Sequence, residues 1–377
     1  MGDRAPPAPG TVLNTAGGGD PGVAAVGRGV GGAAPAGAGW AVVASVAVLV
    51  LVVMGAAMLG SVPLAPGEVF AAVGRAVGRV LGVACAPADL AVTIVVQIRL
   101  PRVLEAAVVG AALALAGAAL QGVFRNPLAD PYLLGAASGA GLAAAVVLVL
   151  GTAGAWWASA GVGVAAFVGA IGAVALVVAL ARQGTRVPVV PLILAGVVVG
   201  SSLSAGTSFV LLAAREQAAG VLAWLLGSFA FASWSELAWA VPALLTAGAV
   251  VLAAARGLDV LQLGDAAAAQ LGLPVEPFKV AVVAASTLAT AAAVATAGVI
   301  GFVGLVVPHA GRLAVGPGHR RLLPLAALWG ATFVVAADVL ARTVIAPAEV
   351  PVGVVTALAG APFFLVLLRR HAARGAA

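Results

Sequence analysis

The chain has 377 residues, of which 63% are hydrophobic and 8% charged, and it carries a net charge of +6. A soluble domain has roughly 25% charged residues and about half apolar ones even with glycine counted. A soluble enzyme and a disordered chain are therefore excluded, and so is a collagen-like fibre, because the 50 glycines show no triplet period. An all-α polytopic membrane protein is what remains.

In chain order, residues 1–39 come first. Pro6, Pro7, Pro9 and the glycine run 17–19, with few bulky side chains, give the composition of a disordered cytoplasmic tail. A bilayer core of about 30 Å needs roughly 20 apolar residues as a helix. Residues 40–59 supply the first such run, too long and too far from the N-terminus for a signal peptide. The second covers 106–124, with its helix starting near Val103 and Pro101 favouring a start there. Residues 131–181 carry no charge and suit two helices that turn at the interface near Gly151, Gly154 and the Trp156, Trp157 pair. A fifth span covers 187–214 and a sixth 237–255. A seventh and an eighth share 280–311 with a break at 298–301, a ninth covers 322–342 and a tenth 351–368. The run 217–235 holds Trp224, Phe229, Phe231 and Trp234 and reads as an interfacial or re-entrant helix rather than a crossing.

The expectation is ten transmembrane helices in a permease domain over 40–370, with a short tail at 371–377 and both termini on one side. Thirteen Arg and Lys fall on that side. Six, Arg75, Arg79, Arg99, Arg102, Arg215 and Arg342, fall on the other, so the positive-inside rule makes both termini cytoplasmic.

Much chemistry is absent from this pattern. The only lysine, Lys279, follows Phe278, so there is no Gly-x-x-x-x-Gly-Lys loop to cradle a nucleotide. His309, His319 and His371 lack metal-ligand spacing, and Cys85 stands alone. Glu105 and Asp338 are the ionisable groups near membrane depth, each beside an arginine. No catalytic residue, metal or cofactor is expected on the chain, and no basic patch interleaved with aromatics points to nucleic acid.

Local patterns have plain readings. Arg102 and Glu105 at i+3, and Asp338 and Arg342 at i+4, are ion pairs that anchor helix ends. Asn126, Pro127 and Leu128 make a tight turn that closes the second span. Gly264 and Gly272 bracket a short amphipathic helix with Asp265 at its positive end, and Leu263, Ala267 and Leu271 fall at i, i+4 and i+8, which on its own reads as a solvated loop helix. His309 and Arg312 end the eighth span, where cations suit the helix dipole. Gly135 with Gly139, Gly196 with Gly200, and Gly298, Gly301 and Gly304 mark close helix packing. Ser201, Ser202, Ser204, Thr207 and Ser208 either line a weakly polar channel or bond back to their own helix.

Six segments in order carry a resemblance: QIRLPR at 97–102, QGVFRNPLADP at 121–131, LLGAASGAG at 133–141, LGDAAAAQLG at 263–272, GFVGLVVPH at 301–309 with Arg312, and PVGVVT at 351–356 with GAPFF at 360–364. Over about 97–370 the chain resembles the FecCD-type permeases, membrane subunits of ATP-binding-cassette (ABC) importers for iron-siderophores, haem and cobalamin. The resemblance implies a multi-pass protein of the inner or cytoplasmic membrane, among membrane lipid, with ten spans and both ends cytoplasmic. It implies a second permease copy or paralogue, two ATPase subunits that carry the ATP and Mg, and an external substrate-binding protein. It implies that Arg99, Arg102 and Arg342 dock that binding protein, and that Asn126 and Leu128 form a cytoplasmic gate. Leu263, Gly264, Asp265, Ala267, Leu271 and Gly272 become the coupling helix, and Ser201, Ser204, Thr207 and Ser208 line the pathway along 191–212. An iron-siderophore is the first cargo expected, with haem and cobalamin after it. The competing class is a stand-alone secondary transporter or channel, which would need an ion-binding or protonatable site in the bundle.

Overall fold

The computed structural model describes residues 38–60, 64–80, 90–151 and 157–375. The tail up to residue 37, Cys85 and the turn at 152–156 lie outside the described residues. Those described are helical, and apart from one bridge between Gln183 and Arg186 they contain no strand.

The elements are α1 (Ala38–Met58), α2 (Pro66–Val80), α3 (Leu90–Val92), a π-helical stretch (Thr93–Arg99), α4 (Leu100–Phe124), α5 (Ala136–Leu150), α6 (Trp157–Ala181), α7 (Val189–Ala214), α8 (Ala218–Leu225), α9 (Trp234–Ala253), α10 (Ala255–Leu261), α11 (Asp265–Gln270), α12 (Val275–Ala297), α13 (Val303–Val315), α14 (His319–Thr343) and α15 (Val352–Gly375). Seven of the helical stretches are long and apolar enough to cross a membrane, and Ala136–Leu150, Val303–Val315 and Val352–Leu365 are shorter apolar helices.

The second crossing begins earlier than expected. Leu90 to Phe124 is one helical rod of 35 residues, with Pro101 inside it rather than at its start. Proline lacks an N–H and its ring crowds the carbonyl four residues back. The wider π turn ahead of Pro101 accommodates both defects and lets the helix run on. Arg99 and Arg102 consequently lie within the rod and not beyond its end.

α4 is the core of the bundle. From Val103 to Phe124 it is almost wholly buried, packed against α9, α12, α13 and α14. Alanine and glycine dominate this helix, so backbones approach closely. A Cβ at Gly117 would sit 2.0 Å from the Gly304 carbonyl oxygen, and one at Gly110 would sit 2.2 Å from that of Gly330. Without a hydrophobic drive between helices in lipid, such approach supplies the dispersion that holds them.

The segment 217–235 contains no helix long enough to cross a membrane. α8 has eight residues, about 12 Å of helix. The chain after it bonds to the break between α12 and α13 and to the start of α15: Ser228 N donates to Ala297 O at 2.9 Å, Val352 N to Gly227 O at 3.0 Å and Gly353 N to Leu226 O at 3.0 Å. Tyr132 Oη joins this knot by donating to Ile300 O at 3.1 Å. Non-helical backbone inside a membrane bundle needs protein partners of this kind.

Helix α2 has no counterpart in the sequence expectation. It buries Val69 and Ala72 against Ala57, Val92 and Val95, while Phe70 and Val77 stay exposed. Its signal was present: Pro66 opens it, and Val69, Ala72, Val73 and Ala76 follow at helical spacing. Glu68 accepts the Ala65 N–H at 2.8 Å.

Candidate functional site

Charged side chains gather at both ends of the bundle. At one end stand the three arginines expected to dock a binding protein, and all three are buried within the chain. Arg99 donates from Nη1 to the carbonyls of Ala57 and Met58, each at 2.9 Å. Arg102 does not pair with Glu105. It reaches across to α14 and the loop beyond, donating to Asp338 at 2.8 Å and to both oxygens of Glu349 at 2.8 and 2.9 Å. Arg342 donates to Ala56 O at 2.7 Å and lies 3.4 Å from Asp338, so the i,i+4 pairing holds. Asp338 thus ties two cations from opposite halves of the chain, and the edge of this cluster open to solvent is Glu349. The i+3 expectation for Arg102 failed because the π stretch and the α14 packing turn its guanidinium toward two carboxylates instead of one.

At the other end α4 stops at Arg125, whose left-handed backbone (φ 49°) turns the chain into 126–130. Asn126 Oδ1 accepts the Leu128 N–H at 2.9 Å, fixing the tight turn expected there. Leu128 is exposed and shares a small pocket with His309, Phe363 and Phe364. Beyond it, Asp130 accepts from Tyr132 N at 2.8 Å, and burial pushes its carboxyl up to about 6 against that bond. Gln121 donates to Ala129 O and Gly304 O at 3.2 and 3.1 Å and accepts from Arg312. Arg312 therefore bridges two helices rather than only facing its own helix end. Sequence reading missed Gln121 and the Asp259 carboxylate, which accepts the His319 N–H at 2.7 Å. Gln121 sits inside one of the motifs, which was the available signal.

α11 is the expected short helix. Gly264 (φ 98°) and Gly272 (φ 85°) bracket it in backbone that disfavours other residues. Asp265 at its start pairs with Lys279 at 2.5 Å and with Arg125 at 3.5 Å, so the helix is tied to α12 and α4. Ala268 packs inward and Ala267 is half-buried, while Leu263 and Leu271 are 63% and 65% exposed. Two leucines held in water by a braced turn form an apolar surface that has no partner within the described residues.

α7 presents a long exposed stripe through Val190, Leu194, Val198, Ser201, Ser208 and Leu212. Ser201 and Ser204 are on the exposed side, and Ser204 Oγ bonds to Ser138 Oγ at 3.1 Å. Ser202 and Ser208 bond back to Val198 O and Ser204 O. Thr207, expected with them on the pathway wall, is buried and donates to Leu203 O, because it lies on the face of α7 turned into the bundle.

The chain is similar to known proteins over most of its length. The chain is 45% identical over 286 residues to the cobalamin import system permease protein BtuC of Halobacterium salinarum, covering 76% of each chain. It is 43% identical to the haemin transport system permease protein HmuU of Yersinia pestis, over 73% of this chain and 83% of that one. A solved structure described as an inward-facing metal-chelate type ABC transporter superposes with a TM-score of 0.75 at 30% identity, covering 87% of this chain and 98% of that one. The pattern of the FecCD transport family matches residues 48–370, and the chain belongs to that family.

Proposed function

We propose that this chain is the membrane subunit of an ABC importer that brings a bulky metal chelate into the cell, crossing the cytoplasmic membrane ten times with both ends inside. The single observation that carries this reading is α11, braced by Asp265 while Leu263 and Leu271 stand in water. An amphipathic turn of that kind fits a groove on a partner, and the partner proposed is an ATPase subunit holding ATP and Mg. A second copy or paralogue packs along the exposed face of α7, with Ser201, Ser204 and Ser208 on a shared pathway. Asn126 and Leu128 close the inner end. ATP-driven alternation between outward and inward states moves the cargo, a use of rigid-body rocking common among transporters. The iron-siderophore expected from the sequence has no support in the names of the relatives above, which are those of cobalamin and haemin systems. A metal macrocycle, cobalamin first, is the cargo these names favour. Among the described residues no cluster of potential metal-ion ligands favours a stand-alone transporter.

The test is Leu271→Asp. Because Leu271 is exposed, the variant should fold and reach the membrane, yet the ATPase should no longer co-purify and cobalamin uptake into vesicles should stop. An intact complex with unchanged uptake removes the coupling role. Parallel vesicles offered cobalamin, haem or a ferric siderophore, each with its binding protein, identify the cargo.

Docking of an external binding protein at Arg99, Arg102 and Arg342 has a geometric condition. An acidic partner must compete with Glu349 for the outer edge of Arg102. Glu349→Gln should therefore raise the association rate of the binding protein, with a gain that shrinks as salt rises. Stopped-flow rates that stay the same at every ionic strength would argue against docking through this cluster.

A further inference from the structure

Helices α6, α7 and α12 leave an apolar groove of about 570 Å³ beside the end of α4. Its walls are mostly aliphatic, with Val174, Val178, Leu192 and Val283 among them and Phe124 the one aromatic. Thr287 also lines it but donates its hydroxyl to Val283 O at 2.8 Å. The charges on the groove are Arg182, just past the end of α6, and Lys279, in the second turn of α12. Both stand at the same end of the bundle as α11.

The mouth is a built structure. Gln183 and Arg186 close a tight turn with backbone bonds of 2.9 and 3.1 Å, and Val187 N donates to Glu276 Oε2 at 2.9 Å, holding the turn against α12. Arg182 Nε donates to Gly184 O at 2.8 Å. Arg182 and Arg186 are exposed, and among the described residues no carboxylate pairs with either. The acids at the mouth, Glu276 and Asp265, face Lys279, and Asp265 also faces Arg125. Four cations against two carboxylates leave the opening positive.

A long apolar slot under a positive rim matches a molecule with a hydrocarbon body and an anionic head. We infer that this groove holds an anionic phospholipid of the same leaflet, one acyl chain along the aliphatic walls and its phosphate against Arg182 and Arg186. Basic residues at the cytoplasmic ends of membrane helices attract anionic headgroups in this way. A helix of a second copy would cover the walls but leave the two arginines without an anion. Free phosphate would meet the arginines but leave the walls wet. The inference depends on neither the cargo nor the ATPase.

The test is native mass spectrometry of the full-length protein in detergent, titrated with phosphatidylglycerol and with phosphatidylcholine of identical chains. The wild-type protein should retain phosphatidylglycerol in preference. Arg182→Ala with Arg186→Ala, in an exposed turn that leaves the helices intact, should weaken phosphatidylglycerol about twenty-five-fold, at roughly fivefold per arginine, and bring it to the level of phosphatidylcholine. Ala284→Trp, at an exposed groove position, should displace the lipid without changing charge. Equal retention of both lipids by the wild-type protein, or a preference kept in the double variant, would overturn the inference. So would an Ala284→Trp variant that loses a second copy of the chain while its lipid count stays unchanged. If Ala284→Trp fails to elute as a folded species, the arginine pair alone decides.

Discussion

Replacing Asp338 by alanine should cost about 3–5 kcal/mol and leave little folded permease to purify. The carboxylate is 1% exposed and serves Arg102 at 2.8 Å and Arg342 at 3.4 Å. Without it two buried guanidinium groups share Glu349, whose side chain is 39% exposed and hydrated. Removing one partner of a buried ion cluster leaves uncompensated charge where solvation is poor, and that is the large term. Glu349→Gln should cost only about 1 kcal/mol or less, because water screens the exposed side of its pair. The pair Arg102→Met with Asp338→Leu should recover part of the loss, since removing opposite charges together leaves fewer charges stranded. Thermal unfolding of detergent-solubilised protein, followed by size-exclusion, reads all three. A melting temperature for Asp338→Ala equal to that of the wild-type protein would mean that the cluster is not holding α4 to α14.

Gly117→Leu should be comparably severe, about 3 kcal/mol or more. The Cβ alone would lie 2.0 Å from Gly304 O and 2.5 Å from Gly304 Cα, so α4 and α13 must separate before any side chain fits. Backbone on both sides leaves nothing flexible to move aside. The same helices carry Gln121 and its bonds to Gly304 O and Arg312, so separation would also break that bridge. Gly172→Ala is the matched control, since a Cβ there meets nothing within 4 Å. It should be neutral or stabilise by about 0.5–1 kcal/mol, because alanine loses less backbone freedom than glycine in a helix. The two variants together separate close packing from helix propensity. Equal melting temperatures for both would refute the packing argument.

Spans were legible because lipid imposes a length and an apolar composition that a single chain must display on its own. The runs at 40–59, 187–214 and 322–342 each became a helix within a few residues of the expected bounds. The break at 298–301 was legible because Gly298 takes a positive φ that few other residues adopt. The bracketed helix at 265–270 was readable for the same reason, through Gly264 and Gly272. Pro101 misled because its usual place is a helix start, and only the π stretch ahead of it shows how the helix absorbs the missing donor.

Composition and spacing along the chain were enough to read the class of protein, most of its helices though neither α2 nor the early start of the second crossing, and, through ordered motifs, its family. These depend on local composition and spacing, which each stretch of chain carries without its neighbours. Which charges meet is set by helix packing. Arg102 passes over Glu105, one turn away, for Asp338 and Glu349, more than two hundred residues on, and Thr207 turns inward while Ser201 and Ser208 turn out. Those choices follow from how α4 packs on α14, and how α7 packs on α5. Helix rotation and partner identity are set by contacts that exist only once the bundle has closed.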